Sequence, residues 1–85
     1  MRTLADVKRR MVQGSRWRCI RVFNDNEDMG VREIAKARTN AVAFRSPGGK
    51  LSWLWWPEAK EVRVEGNTVT ILKNGIPALR YEFVE

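Results

Sequence analysis

Arginine and tryptophan are the residues through which this chain could contact a ligand. Guanidinium groups bind phosphates and carboxylates through paired hydrogen bonds, and an exposed indole can stack on a nucleic-acid base. In the run Arg16-Trp17-Arg18 the two arginines point to one side of a strand, about 7 Å apart, with the indole opposite. The predicted binding residues are Arg16, Arg18, Arg21, Arg32, Lys36, Arg38, Arg45 and Trp56.

Positive charge is concentrated in the first part of the chain, whose total net charge is +6. Residues 1–50 carry 12 Lys/Arg and 5 Asp/Glu, which gives +7, whereas residues 51–85 carry 4 and 5, which gives −1. This asymmetry predicts one positive surface that could meet a polyanion or an acidic protein. A solvated surface that only keeps the protein soluble is the alternative interpretation.

The residue inventory argues against catalysis and against metal binding. The chain has no histidine, so neither a Ser-His-Asp nor a Cys-His arrangement can form. The Gly48-Gly49 pair lacks the Lys-Ser/Thr of a phosphate-binding loop. Cys19 is the single cysteine and is expected to be a small buried hydrophobic residue. We therefore predict a protein that is not an enzyme and uses no cofactor.

No apolar run approaches the length of about 20 residues that a membrane-spanning helix requires. The first residues, Met-Arg-Thr-Leu-Ala-Asp, also lack the apolar stretch of a signal peptide. These features predict a cytoplasmic protein that does not bind a membrane.

One helix is predicted at the start of the chain, over about residues 3–13. Thr3 can cap it, with Asp6 three residues later, and Gly14 is suited to end it. Leu4, Val7 and Met11 recur at helical spacing, so they should form the face that packs on the rest of the domain.

Alternating apolar residues and turn signals predict strands through the rest of the chain. A β-bulge at Cys19-Ile20 would keep the apolar face of the first strand in phase, and residues 31–38 suit a helix as well as a strand. The predicted strands cover about residues 16–23, 31–38, 41–45, 50–56, 61–65, 68–73 and 76–84. The expected fold is a single mainly β domain over residues 1–85, with one N-terminal helix and a small bent antiparallel sheet or a partly open SH3-like or OB-like barrel.

Three of the four tryptophans lie in the predicted strand that ends at Pro57. Leu51, Trp53 and Trp55 fall on one face of this strand, and Ser52, Leu54 and Trp56 fall on the other. Both faces are apolar, so the strand is either covered on both sides or presents an aromatic surface. We expect Trp53 to lie in the core.

Residues 39–44, 49–54 and the pair Trp56-Pro57 resemble small uncharacterised proteins encoded by bacteriophages and their hosts. The similarity extends to the leading helix and to the hairpin at residues 66–70, and it includes no catalytic motif. The resemblance implies an interaction or nucleic-acid-binding role.

Two functions fit these features. The first is a small basic module that binds nucleic acid through an arginine-rich strand face. The second is a phage-type protein-interaction module, or an inhibitor of a host protein, whose tryptophans anchor it on an acidic partner surface. Steep salt dependence would distinguish the first from the second.

The Asn74-Gly75 pair predicts a two-residue hairpin turn of type I′, in which both residues need positive φ. Because a β-branched residue tolerates positive φ poorly, Gly75→Val should destabilise the fold by more than an ordinary surface change. Thermal unfolding of the variant beside its parent would measure this. An unchanged melting temperature would contradict the type I′ turn predicted for the last hairpin.

Overall fold

The computed structural model describes all 85 residues and contains one α-helix, seven strands and one turn of 3-10 helix. The helix is α1 (Leu4–Arg10), and the short 3-10 turn covers Trp56–Glu58. The strands are β1 (Arg16–Arg21), β2 (Glu27–Ala37), β3 (Ala41–Arg45), β4 (Leu51–Trp55), β5 (Glu61–Glu65), β6 (Thr68–Lys73) and β7 (Ile76–Val84). The mainly β architecture with one leading helix is confirmed.

All seven strands belong to one antiparallel sheet in the order β4-β3-β2-β1-β7-β6-β5. The pairing slips between Arg18 and Ile20 on β1 and between Ile34 and Lys36 on β2. Such irregularities bend a strand and increase its twist. The sheet curls into a half-barrel with β4 and β5 as its edges, which confirms the bent sheet and the partly open barrel.

The helix is shorter than the predicted range of 3–13. It begins with the expected capping box, in which Thr3 Oγ accepts from the Asp6 N–H and the Asp6 carboxylate accepts from the Thr3 N–H. It ends at Arg10 because Met11 leaves helical geometry, with ψ of 59°, and its side chain is buried in the core with that of Val7. No helix of the protein has the length and apolar character needed to cross a bilayer.

Two predicted strand boundaries are wrong at the turn between β1 and β2. The first strand ends at Arg21 rather than at residue 23, and the second begins at Glu27 rather than at residue 31. Asp25 and Asn26 both have positive φ, so the chain reverses tightly and Glu27 already pairs with Arg21. Residues 31–37 lie on this second strand, which decides between the strand and helix alternatives.

The bulge in the first hairpin lies on β2 rather than at Cys19-Ile20 on β1. On β1 only Cys19 lies between the paired residues Arg18 and Ile20. On β2 both Met29 and Gly30 lie between their partners, Val31 and Asp28. Gly30 has φ of 83°, a value that glycine adopts without a Cβ clash. Cys19 remains paired with Tyr81 of β7, so β1 keeps a regular register on its other side.

The core lies on the concave side of the half-barrel. Trp17 and Val69 are completely buried there, and Trp17 meets Phe83 edge to face with ring centroids 5.2 Å apart. α1 packs against β5 and places Lys8 Nζ 5.5 Å from the ring centroid of Trp56. The helix therefore covers the core between the two ends of the sheet.

The side chains of the tryptophan strand β4 alternate between two faces as predicted. The face that packs in the core, however, is the opposite of the expected one. Leu54 and Trp56 belong to the buried core, whereas Trp53 is half-buried and Trp55 is exposed on the outer face. The expectation that Trp53 lies in the core is therefore wrong. So is the expectation that Trp56 is available to a ligand, because only 7% of its surface is exposed.

The adjacent tryptophans Trp55 and Trp56 allow a matched test of this orientation, since 46% of Trp55 is exposed. Trp56→Ala removes a large core side chain and should lower the free energy of unfolding by about 3–5 kcal/mol. Trp55→Ala should lower it by about 1 kcal/mol or less. Chemical denaturation of both variants measures the difference, and a larger loss for Trp55→Ala would show that the strand is turned the other way.

Candidate binding surface

The outer face of β2, β3 and β4 carries two rows in which an alanine separates a cation from a tryptophan. In the first row Ala43 of β3 is paired with Lys36 on one side and with Trp53 on the other. In the second row Ala41 is paired with Trp55, and its carbonyl accepts the N–H of Arg38 at 2.8 Å. We call these six residues the outer platform.

Small residues on β3 allow the indole rings to lie close to the sheet. Ala41 and Ala43 are almost completely buried although they face outward, because longer side chains on the neighbouring strands cover them. Trp53 and Trp55 stack on each other with ring centroids 5.5 Å apart and an interplanar angle of 23°. The pair forms an aromatic surface that remains open to solvent at Trp55.

Cations surround the tryptophan pair without acidic partners. The Arg38 guanidinium carbon lies 5.3 Å from the ring centroid of Trp53, a cation–π contact. Lys36 and Arg45 are exposed, and Arg45 extends the same face because its strand partner is Leu51. The ion pairs of the protein are Asp6–Arg9, Arg18–Asp28 and Arg21–Glu27, so all three of these cations are available to a ligand.

Arg16 and Arg18 lie on the outer face of β1, beyond the platform. Arg16 is exposed and its guanidinium lies 3.4 Å from the carbonyl oxygen of Glu85. Arg18 forms an ion pair with Asp28 at 2.8 Å, so its charge is partly neutralised. The Gly30 N–H, followed by the Arg18 guanidinium, holds the pKa of the Asp28 carboxyl below its usual value.

The other three predicted binding residues lie apart from the platform. Arg21 is 3.7 Å from Glu27, and it lines a cavity on the concave side together with Arg32. Trp56 is part of the core. The structure thus brings together Lys36, Arg38 and Arg45 from the predicted set, and it does not bring Arg21, Arg32 or Trp56 to the same surface.

Trp53 and Trp55 are the platform residues that the predicted site lacks. The alternation of residues 51–56 placed them on a common face, but it did not show which face of the strand is outside. Ala41 and Ala43 could have indicated that Trp53 and Trp55 share the outer face, because two alanines on one face of β3 leave room for large rings on the next strand.

The concave cavity, which we call the inner cavity, has a volume of about 60 Å³. Cys19, Arg32 and Tyr81 are among its lining residues. Burial is the main cause that raises the pKa of Cys19 to about 11 and raises the pKa of Tyr81 well above its usual value. Arg32 acts in the opposite direction on both groups, but burial outweighs it.

No group of three or more His, Cys, Asp or Glu side chains is arranged to hold a metal ion. The outer platform and the inner cavity each place cations beside aromatic or hydroxyl groups.

No known protein family, curated protein or solved structure matches this chain. The resemblance to small phage-encoded proteins therefore stays a prediction.

Proposed function

We propose that this protein binds single-stranded nucleic acid on the outer platform. A base would stack on the exposed face of Trp55, and the backbone phosphates would contact Lys36, Arg38 and Arg45. The observation that carries the proposal is the stacked pair of tryptophans at the sheet edge, flanked by cations that form no ion pair.

The dimensions of the platform suit a nucleotide. Neighbouring strands are about 4.8 Å apart, so the Cα atoms of Lys36 and Trp53 are separated by about 10 Å across the alanine between them. Successive residues on one face of a strand are about 7 Å apart, which is close to the phosphate repeat of an extended single strand. One row can therefore accept a base at its tryptophan and a phosphate at its cation.

A single strand is favoured over a duplex because Trp55 is the exposed ring of the pair. Trp55 can stack only on a base whose face is free, and in a duplex those faces are covered by neighbouring bases. Stacking is also insensitive to base identity, since every base has a π-face. We expect weak sequence preference and strong salt dependence.

A protein partner is the second candidate, and the position of β4 supports it. β4 is an edge strand, so one side of its backbone is free to pair with an added strand. Trp55 would then act as an anchor residue and the platform cations would form a polar rim around it. Such an interface would depend much less on salt than phosphate binding does.

Titration of fluorescently labelled single-stranded DNA and RNA oligonucleotides at two salt concentrations tests the first proposal. The parent protein should bind in low salt and lose affinity steeply as salt rises. Trp55→Ala should weaken binding by about 1–3 kcal/mol through lost stacking. Phe23→Ala is the matched control, because Phe23 is an aromatic residue that is 66% exposed and not part of the platform.

The charge contribution has its own pair of variants. Replacing both Lys36 and Arg38 by Gln should reduce affinity and flatten the dependence on salt, because two phosphate contacts are removed. Arg63→Gln, on the outer face of β5, should leave both unchanged. Absence of measurable affinity for the parent in low salt would reject nucleic-acid binding and favour the protein partner.

A further inference from the structure

The inner cavity is independent of the outer platform, because it opens on the concave side of the sheet. Its polar lining includes Arg21, Arg32, Ser52 and Tyr81, and no carboxylate is among its lining residues. Its apolar wall is formed by Met29, Phe44, Leu79 and others. The cavity is therefore a small space with a positive end and an apolar side.

Arg32 is a cavity arginine without a counter-ion. Its guanidinium donates to Ser46 Oγ at 3.2 Å, whereas its Nε is buried and has no hydrogen-bond partner. No acidic group lies within ion-pair distance of Arg32, while Arg21, the other cavity arginine, is near Glu27. A buried donor without an acceptor and a half-buried charge without a counter-ion both cost free energy.

The titratable groups that line the cavity do not supply a negative charge, and the nearby Asp28 carboxylate is paired with Arg18. The raised pKa values of Cys19 and Tyr81 keep the thiol and the phenol protonated at neutral pH. The Cys19 thiol donates to the Trp17 carbonyl oxygen at 3.7 Å, whereas the Tyr81 side chain lines the cavity. A protonated phenol can donate to an anion beside Arg32.

We propose that the inner cavity binds a carboxylate group, held by the Arg32 guanidinium. A carboxylate accepts two hydrogen bonds from one guanidinium, and it would supply an acceptor for the buried Nε–H of Arg32. A volume of about 60 Å³ suits a group of a few non-hydrogen atoms, and the apolar wall suits a short alkyl chain attached to it. The ligand class is thus a short-chain carboxylic acid in its ionised form.

Acetate and acetamide are the probes that test this site, since they are nearly equal in size and differ in charge. Cys19 lines the cavity, so the chemical shift of its backbone N–H in NMR spectra reports on occupancy. Acetate should shift this signal saturably at constant ionic strength, with sodium fluoride as the background salt. Acetamide should have little effect.

The Arg32 Nε–H resonance in an NMR titration gives a second readout that does not depend on a variant. Acetate should shift this signal with the same saturation curve that it shows for the Cys19 N–H. If acetate produces no saturable shift, or the same shift as acetamide, the proposal is overturned. An equal or larger saturable shift of the Cys19 signal with inorganic phosphate would overturn the assignment to carboxylates.

Arg32→Gln supplies the test of the residue itself, with Arg63→Gln as the control. Arg32→Gln should abolish the effect of acetate on Cys19, whereas Arg63→Gln should retain it, because Arg63 lies on the outer face of an edge strand. Retention of the acetate effect in a folded Arg32→Gln protein would overturn the role of Arg32. If that variant does not fold, the NMR titration of the parent decides.

Discussion

The structure depends on β1, which is hydrogen-bonded to β2 on one side and to β7 on the other. This double pairing joins the strands of the basic half, β2, β3 and β4, to those of the nearly neutral half, β5, β6 and β7. Trp17, near the start of β1, is fully buried, and its indole N–H donates to Ser15 Oγ at 3.1 Å. Without β1 neither half would have a second layer to close its core.

A chain of 85 residues has few large side chains to bury, and the concave side takes most of them. Trp17, Phe44, Trp56 and Tyr81 all belong to that core. Trp53 and Trp55 remain outside, although burying them would favour folding. This stacked and partly exposed pair of tryptophans is the surface on which the proposed binding function rests.

Ion pairing separates the arginines that a ligand can use from those that it cannot use freely. Arg18 and Arg21 face Asp28 and Glu27 across the first hairpin, so their charges are partly compensated. Arg38 instead lies against the ring of Trp53, where no carboxylate reaches it. Arg32 has no ion-pair partner and is not part of the outer platform, since it lines the inner cavity on the other side of the sheet. One basic stretch of sequence thus places cations on two different surfaces.

The sequence alone determined the features that depend on neighbours along the chain. The Thr3–Asp6 capping box, the alternation of residues 51–56 and the Asn74-Gly75 turn, with φ of 53° and 76°, all follow local rules and are confirmed. The tertiary structure decided which face of β4 is buried, because Trp53 and Trp56 are equally apolar and a period of two cannot distinguish them. It also decided which cations remain unpaired, because cross-strand register, rather than sequence spacing, brings Asp28 to Arg18 and leaves Arg38 beside an indole.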